Sequence, residues 1–332
     1  MHIFVFLPII VLIYLQKIAE VCQLHKVFID GGHGTTGLKI SEYLCKRPDI
    51  EILEIDPDQR KNTDARLQMI KDADVSLLCL PDKASEEIAQ LAPADAVLID
   101  TSSRHRTSEG WVYGMPELTT GQRDLIRNST RIANPGCHAS GFILLVRPLI
   151  DAGLLDRDSL LSCFCVTGYS GGGKSMIGRY ESDCRADCLD SPGQYALGQS
   201  HKHLPEMVAM TGLVNAPCFS PVVGDFYNGM VMTVQLHGSQ LKRSAGPDEL
   251  LEVLKARYND EPLICVRDSA PEDGFIYSNP LAGSNGMDMY VCGNKDRMLL
   301  TAVYDNLGKG ASGAAVQNLN IVLGAGETTG LI

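Results

Sequence analysis

Short hydrophobic runs alternate with amphipathic stretches through the first half of the chain. Lys26-Val-Phe-Ile-Asp30 predicts a buried strand that runs straight into Gly31-Gly-His-Gly34-Thr35-Thr36-Gly37. Leu38, Ile40, Tyr43 and Leu44 then mark one side of a helix. Ile50–Ile55 predicts a second strand, Ala65–Lys71 a helix and Val75–Leu80 a third strand stopping at Pro81. Ser85–Leu91 follows as a helix and Ala96–Asp100 as a fourth strand. Strands alternating with helices make parallel βαβ units, hence an α/β domain with a doubly wound sheet. Asn134-Pro135-Gly136 is a turn signal, and His138–Ile150 reads as a helix. Beyond it the pattern changes. Leu160–Thr167, Met230–Leu236 and Met298–Val303 predict longer strands with Pro- and Gly-rich loops between them, an α+β second domain with a mainly antiparallel sheet. A closing helix rich in small residues is expected over Ala311–Leu323.

Composition narrows the class. Apolar residues make up 45% of the 332 and charged residues 21%, enough for a sizeable core in two domains. A net charge of −11 argues against nucleic acid or an anionic membrane as the main partner, though not against a small anion in a local basic pocket. The 11 cysteines are odd in number and scattered, which fits a reducing compartment, the cytoplasm, better than a disulfide framework. Cys163-x-Cys165 and Cys184-x-x-x-Cys188 lack a matching second pair, so no structural metal is expected. Ile3–Leu15 is almost wholly apolar, but too short to cross a bilayer comfortably and without a signal-peptide flank. Residues 1–24 are therefore expected to lie outside the working fold, which begins at Leu24-His25-Lys26.

Gly31-x-x-Gly34-x-x-Gly37 sits between a strand and a helix. Glycines there let the backbone approach a dinucleotide pyrophosphate, and the helix start offers free N–H groups. After the second strand, Asp56 stands where a ribose-binding acid would, while Arg60 and Lys61 suit a 2′-phosphate, and the two signals conflict. Gly168-Tyr-Ser170-Gly-Gly-Gly173-Lys174-Ser175 matches a P-loop and also contains the Gly-x-Ser-x-Gly pattern of serine hydrolases. Met176-Ile-Gly-Arg-Tyr180 promises a poor helix after it and no acidic strand end follows downstream, so a mobile glycine loop carrying Lys174 to an anionic substrate is the better reading.

Asn134-Pro-Gly-Cys137-His-Ala-Ser-Gly141 carries the chemistry. Cys137 opens a predicted helix, whose dipole would lower a thiol pKa, and the small residues after it leave room for a ligand. A thiol nucleophile needs an acid/base partner. Ser200-His201-Lys-His203-Leu-Pro-Glu206 offers two histidines that face one side of an extended segment.

With these pieces in place, the chain from His25 onward resembles the N-acetyl-gamma-glutamyl-phosphate reductases in their shorter form. The resemblance rests on the stretches quoted above together with Leu78-Cys-Leu80-Pro81-Asp82, Ile99-Asp with Ser102-Ser-Arg-His-Arg106, Tyr113-Gly-Met-Pro-Glu-Leu118 and Asp305-Asn306-Leu-Gly-Lys-Gly-Ala-Ser-Gly313. It implies NADPH-dependent reduction of N-acetyl-L-glutamyl 5-phosphate to the 5-semialdehyde through a Cys137 thioester, a step of arginine biosynthesis. It further implies a Rossmann-type NADP-binding domain, residues 25–136 with 306–332, and a catalytic and dimerisation domain, residues 137–305, in a homodimer or homotetramer. Gly31, Gly34, Thr35, Thr36, Gly37, Arg60, Lys61, Leu80, Pro81 and Asn306 would serve NADP(H). Arg106, Ser170, Lys174 and Glu206 would serve the substrate, and Cys137 with His201 or His203 the catalysis. His33 and His138 stand where the resemblance leads one to expect other residues. Aspartate-semialdehyde dehydrogenase is the nearest alternative. A P-loop NTPase and a non-catalytic dinucleotide-binding regulator are the alternatives from other classes.

Overall fold

A computed structural model describes residues 24–332. The expectation for the apolar stretch before Leu24 falls outside the described residues. The first layer is a six-stranded sheet of β1 (His25–Asp30), β2 (Ile50–Leu53), β3 (Val75–Leu78), β4 (Leu98–Asp100), β5 (Val112–Tyr113) and β6 (Arg131–Ala133), ordered β2-β1-β3-β4-β6-β5. Every pairing is parallel. The helices between them are α1 (Thr35–Leu44), α2 (Thr63–Asp72), α3 (Asp82–Leu91) and α4 (Gln122–Arg127). α2 starts two residues before the hydrophobic pattern does because Asn62 caps it, its side chain accepting from the N–H groups of Asp64 and Ala65. The strand order reverses between β1 and β3, the point at which such sheets open a ligand crevice beyond the strands' carboxyl ends.

After β6 the turn at Asn134–Gly136 feeds α5 (Cys137–Asp151), most of whose residues are buried. Pro148 lies inside α5 and cannot donate to the Leu144 carbonyl one turn back. The Tyr258 hydroxyl supplies that missing bond at 2.7 Å. α5 packs on a seven-stranded sheet of β7 (Ser162–Gly168), β8 (Gly193–Gln194), β9 (Cys218–Gly224), β10 (Met230–His237), β11 (Ile264–Val266), β12 (Met287–Gly293) and β13 (Arg297–Tyr304), ordered β11-β12-β13-β10-β7-β9-β8. α7 (Leu204–Thr211) and α8 (Pro247–Tyr258) pack on α5. The other face of the sheet is open and carries Phe164 and Leu299 exposed.

This sheet is mixed, since β7 pairs with β9, and β11 with β12, in parallel. A parallel pair needs a long crossover. The β7–β9 crossover holds α6 (Gly173–Tyr180), the histidine cluster and α7, so the topology itself delivers them to one edge. Finally a π-helical turn at Gly308–Ser312 leads into α9 (Gly313–Val322), whose Ala315, Val316 and Leu319 pack with Val27, Ile29 and Ile132 of the parallel sheet. The sequence expectation of one continuous helix from Ala311 missed that π turn. The P-loop pattern is also clearer in space: a helix does follow it, but β7 belongs to the mixed sheet and not to a parallel α/β layer. Among the described residues no helix is long and apolar enough to cross a membrane.

Candidate active site

Three adjoining cavities follow the carboxyl ends of the parallel strands. The first, about 340 Å³, is lined by Gly31, Gly32, Glu54, Arg60 and Leu80. Gly31 has φ +82° and a Cβ there would lie 2.3 Å from the Cys79 carbonyl oxygen, so only glycine lets β1 turn across β3. Gly37 is equally constrained, a Cβ meeting the Gly31 oxygen at 2.6 Å. These two glycines press α1 against the strand end and leave its first turn facing the crevice, a cradle that fits a dinucleotide diphosphate. Arg60 lines the first cavity, whereas Lys61 lines none of those described. Asp56 does not line it either, because its carboxylate caps a short 3-10 turn by accepting from Asp58 N–H at 2.9 Å. Glu54, an acid at the strand end that the sequence reading passed over, does face the cavity.

The second cavity, about 410 Å³, joins Gly34, Thr35 and Thr36 to Leu80, Pro81, Ser102, Lys174 and Lys202. Lys174 thus faces the glycine-rich loop and is not part of the lining around Cys137. The third, about 360 Å³, shares Thr35, Thr36 and Lys202 with the second and contains Cys137, His138, His201, His203, Arg106, Ser170, Tyr195 and Asn306.

Cys137 is the first residue of α5 and its carbonyl accepts from the Tyr304 hydroxyl, which also accepts from Gly141 N–H. Two glycines make room for this packing. A Cβ on Gly310, in the π turn, would sit 2.8 Å from Cys137 Cβ, and one on Gly141 would sit 2.6 Å from the Tyr304 oxygen. Asn306 Oδ1 accepts from Gly229 N–H and its amide donates to Ser170 Oγ at 2.9 Å, holding the glycine segment against the cavity. Asn134 ties the turn before Cys137 to Ala311 and Asn318 of the returning segment.

Glu206 was expected on the substrate. It is 1% exposed and absent from the cavity lining. Its carboxylate accepts from Arg106 Nη1 at 2.7 Å, the Tyr113 hydroxyl at 2.7 Å and Gly136 N–H at 3.1 Å. It therefore holds the cysteine turn and the arginine, and touches no ligand space. Arg106 is itself fixed by the Asn134 and Thr101 carbonyls and does line the cavity.

The sequence placed the thiol at a helix start and so expected a low pKa. Burial outweighs that effect and pushes Cys137 up to about 11, against the opposing pull of Arg106, the His138 N–H and Lys202. Burial likewise depresses His201 to about 4, aided by Lys202 and Arg106, and holds His203 well below its usual value, aided by Arg106 and His138. At neutral pH the free site thus pairs a neutral thiol with neutral imidazoles. Alkylation of Cys137 by iodoacetamide, followed by mass spectrometry, should climb roughly tenfold per pH unit from 7 to 10, because the thiolate fraction does. Exposed Cys184 should react sooner at pH 7. A Cys137 rate that levels off below pH 8 would show that burial does not govern this thiol.

His201 Nδ1 accepts from the His203 backbone N–H, whereas His203 Nδ1 is buried without a partner. One ring nitrogen of His203 lies within 4.8 Å of the Cys137 sulfur. The two residues that the sequence left open are therefore not equivalent in space. Tyr195 and Tyr304 carry no motif signal of their own and were not legible in the sequence, whereas Asn134 stood there only as part of the turn before Cys137. The sequence reading of His138 did single out a residue that proves to touch the thiol, its Nδ1 3.3 Å from Sγ.

A parallel sheet with a glycine cradle at its switch point, beside a half-buried cysteine at the start of α5 and histidines in the β7–β9 crossover, defines a dinucleotide-dependent oxidoreductase. Comparison with known proteins narrows this: the chain belongs to the semialdehyde dehydrogenase family, matching its NAD binding domain over residues 26–127 and its dimerisation domain over 137–306. N-acetyl-gamma-glutamyl-phosphate reductase 2 of Nostoc sp. is 42% identical over 318 residues, covering 92% of this chain and 99% of the relative. N-acetyl-gamma-glutamyl-phosphate reductase of Brucella suis is 43% identical over 306 residues, covering 90% and 99%. Solved structures of the same fold include aspartate semialdehyde dehydrogenase II of Vibrio cholerae (TM-score 0.67, 17% identity, 91% of this chain and 98% of that one) and aspartate semialdehyde dehydrogenase of Francisella tularensis (TM-score 0.69, 13% identity, 90% and 100%).

Proposed function

We propose that this protein reduces N-acetyl-L-glutamyl 5-phosphate to N-acetyl-L-glutamate 5-semialdehyde and phosphate with NADPH, as a step of arginine biosynthesis in the cytoplasm. The observation that carries the reading is Cys137 at the start of α5, in a cavity shared with Arg106, the two histidines and the threonines of the glycine cradle. Cys137 Sγ attacks the acyl carbon while His203 takes the thiol proton. The bond from that carbon to the phosphate oxygen breaks, phosphate leaves, and a thioester remains. NADPH, when bound, supplies the hydride that converts the thioester to a thiohemiacetal. The C–S bond then breaks, and His203 returns its proton to the departing sulfur. Free N–H groups at the start of α5 stabilise the oxyanion, and Arg106, whose guanidinium is pre-oriented by Glu206, grips the anionic end of the substrate. Ser170 serves the substrate and Asn306 the cofactor. Lys174, across from Thr35 and Thr36, is better placed for phosphate groups at the cradle than for the acyl chain.

Residues 25–136 with 306–332 would act as the cofactor domain and 137–305 as the catalytic domain. The open sheet face bearing Phe164 and Leu299 would meet a second copy in a homodimer, or a homotetramer built from it. The decisive assay runs the reaction backwards: phosphate-dependent reduction of NADP⁺ with N-acetylglutamate semialdehyde beside aspartate semialdehyde. The first should be preferred, and preference for the second would transfer the assignment to aspartate-semialdehyde dehydrogenase. Arg60 is the group assigned to the 2′-phosphate. Arg60→Ala should raise the KM for NADPH roughly tenfold while leaving NADH little changed, as expected for loss of one charge-assisted contact of about 1.5 kcal/mol. Equal effects on both cofactors would remove Arg60 from that role.

A further inference from the structure

We infer that Cys137, His138 and His203 form a site for a borderline-soft divalent cation of the zinc class, which closes the substrate cavity reversibly. One ligand atom from each residue lies within 4.8 Å of the other two. Zinc bonds of about 2.0–2.3 Å in a tetrahedron put neighbouring ligand atoms roughly 3.3–3.8 Å apart, so side-chain shifts of about 1 Å complete the set. The orientation of the rings is the second observation. His138 Nε2 lies 2.8 Å from the Tyr195 hydroxyl, and its Nδ1 is turned to the sulfur at 3.3 Å. An outer partner that fixes the far nitrogen of a ligating histidine is the usual support of a metal site. On His203 the Nδ1 atom is buried and has no hydrogen-bond partner, while Nε2 faces the Glu206 carboxylate at 4.0 Å. One thiolate and two imidazoles leave the fourth position open to the cavity for water or an anion.

Binding replaces the thiol proton by the metal: Cys–SH and M²⁺ give the metal thiolate and a proton released to solvent. No electrons move, and a chelator reverses the step. A cation held there occupies the nucleophile, so the inhibitory consequence rests on the function proposed above, whereas the binding itself does not. His138 is the distinctive member, because it stands in the cysteine motif where the resemblance leads one to expect another residue.

The test uses Zn²⁺ and Cd²⁺ on the full chain after treatment with a chelator. One equivalent of Cd²⁺ should give a thiolate-to-cadmium absorption that Cys137→Ser lacks, and Zn²⁺ should protect Cys137 from alkylation until EDTA is added. Tyr195→Phe should raise the Zn²⁺ concentration for half-protection by about tenfold, and His138→Phe by about a hundredfold. Cys137-dependent cadmium absorption that is absent, or half-protection unmoved in His138→Phe, overturns the site. Metal binding without acyl-phosphate reduction would instead sink the functional reading and leave this one standing.

Discussion

Cys137→Ser is expected to fold, to bind NADPH with unchanged affinity and to lose turnover by on the order of 10⁴-fold or more, because the thiol both attacks and leaves. A serine ester would also be a poorer hydride acceptor than a thioester, so both halves of the reaction suffer. The cofactor cradle at Gly31–Gly37 is built from β1, β3 and α1, and none of these contributes to the cysteine turn, which is why binding should survive. Residual activity within about a hundredfold of the wild type would show that the reaction proceeds without a covalent intermediate. Single-turnover release of phosphate in the absence of cofactor is the companion measurement. Wild type should release one equivalent per site and the variant none.

Removing the Glu206 carboxylate should unfold the site before it weakens binding. Glu206→Ala leaves the Arg106 guanidinium buried without its carboxylate and strips a partner from Tyr113 and Gly136 N–H. Breaking a buried ion pair by deleting one member costs about 3–5 kcal/mol, so the denaturation midpoint should drop visibly. Glu206→Gln retains the shape and some of the hydrogen bonds, so it should lose less. Both variants should lower kcat, since they loosen the turn that presents Cys137. Full stability together with a raised substrate KM would return Glu206 to the role its sequence position suggested, a direct substrate contact.

What the chain alone determined is whatever depends on neighbours in sequence. The run Lys26–Asp30 into Gly31–Gly37 marked the first βαβ unit because a strand end, glycines with special backbone freedom and a helix start must follow one another covalently. Cys137 was legible for the same reason, since its helix start follows directly from the Pro135-Gly136 turn. Single motifs were ambiguous, and the P-loop pattern at Gly168–Ser175 shows it: the letters were right and the helix exists, but the strand before it belongs to the wrong kind of sheet.

Tertiary structure alone decided burial and long-range pairing. The thiol's protonation is set by its surroundings, and burial together with charges such as Arg106 and Lys202 comes from segments distant in sequence. Glu206 lay in a cluster that looked like ligand chemistry, but its partners Arg106, Tyr113 and Gly136 come from other parts of the chain and consume its carboxylate. His201 and His203 are interchangeable as letters, and the hydrogen bond to His201 Nδ1, the unpartnered His203 Nδ1 and the nearness of His203 to the Cys137 sulfur separate them only in space. The physical reason is common to these cases. Local propensity acts over a few residues, whereas desolvation and ion pairing depend on which distant segments the two sheets bring together.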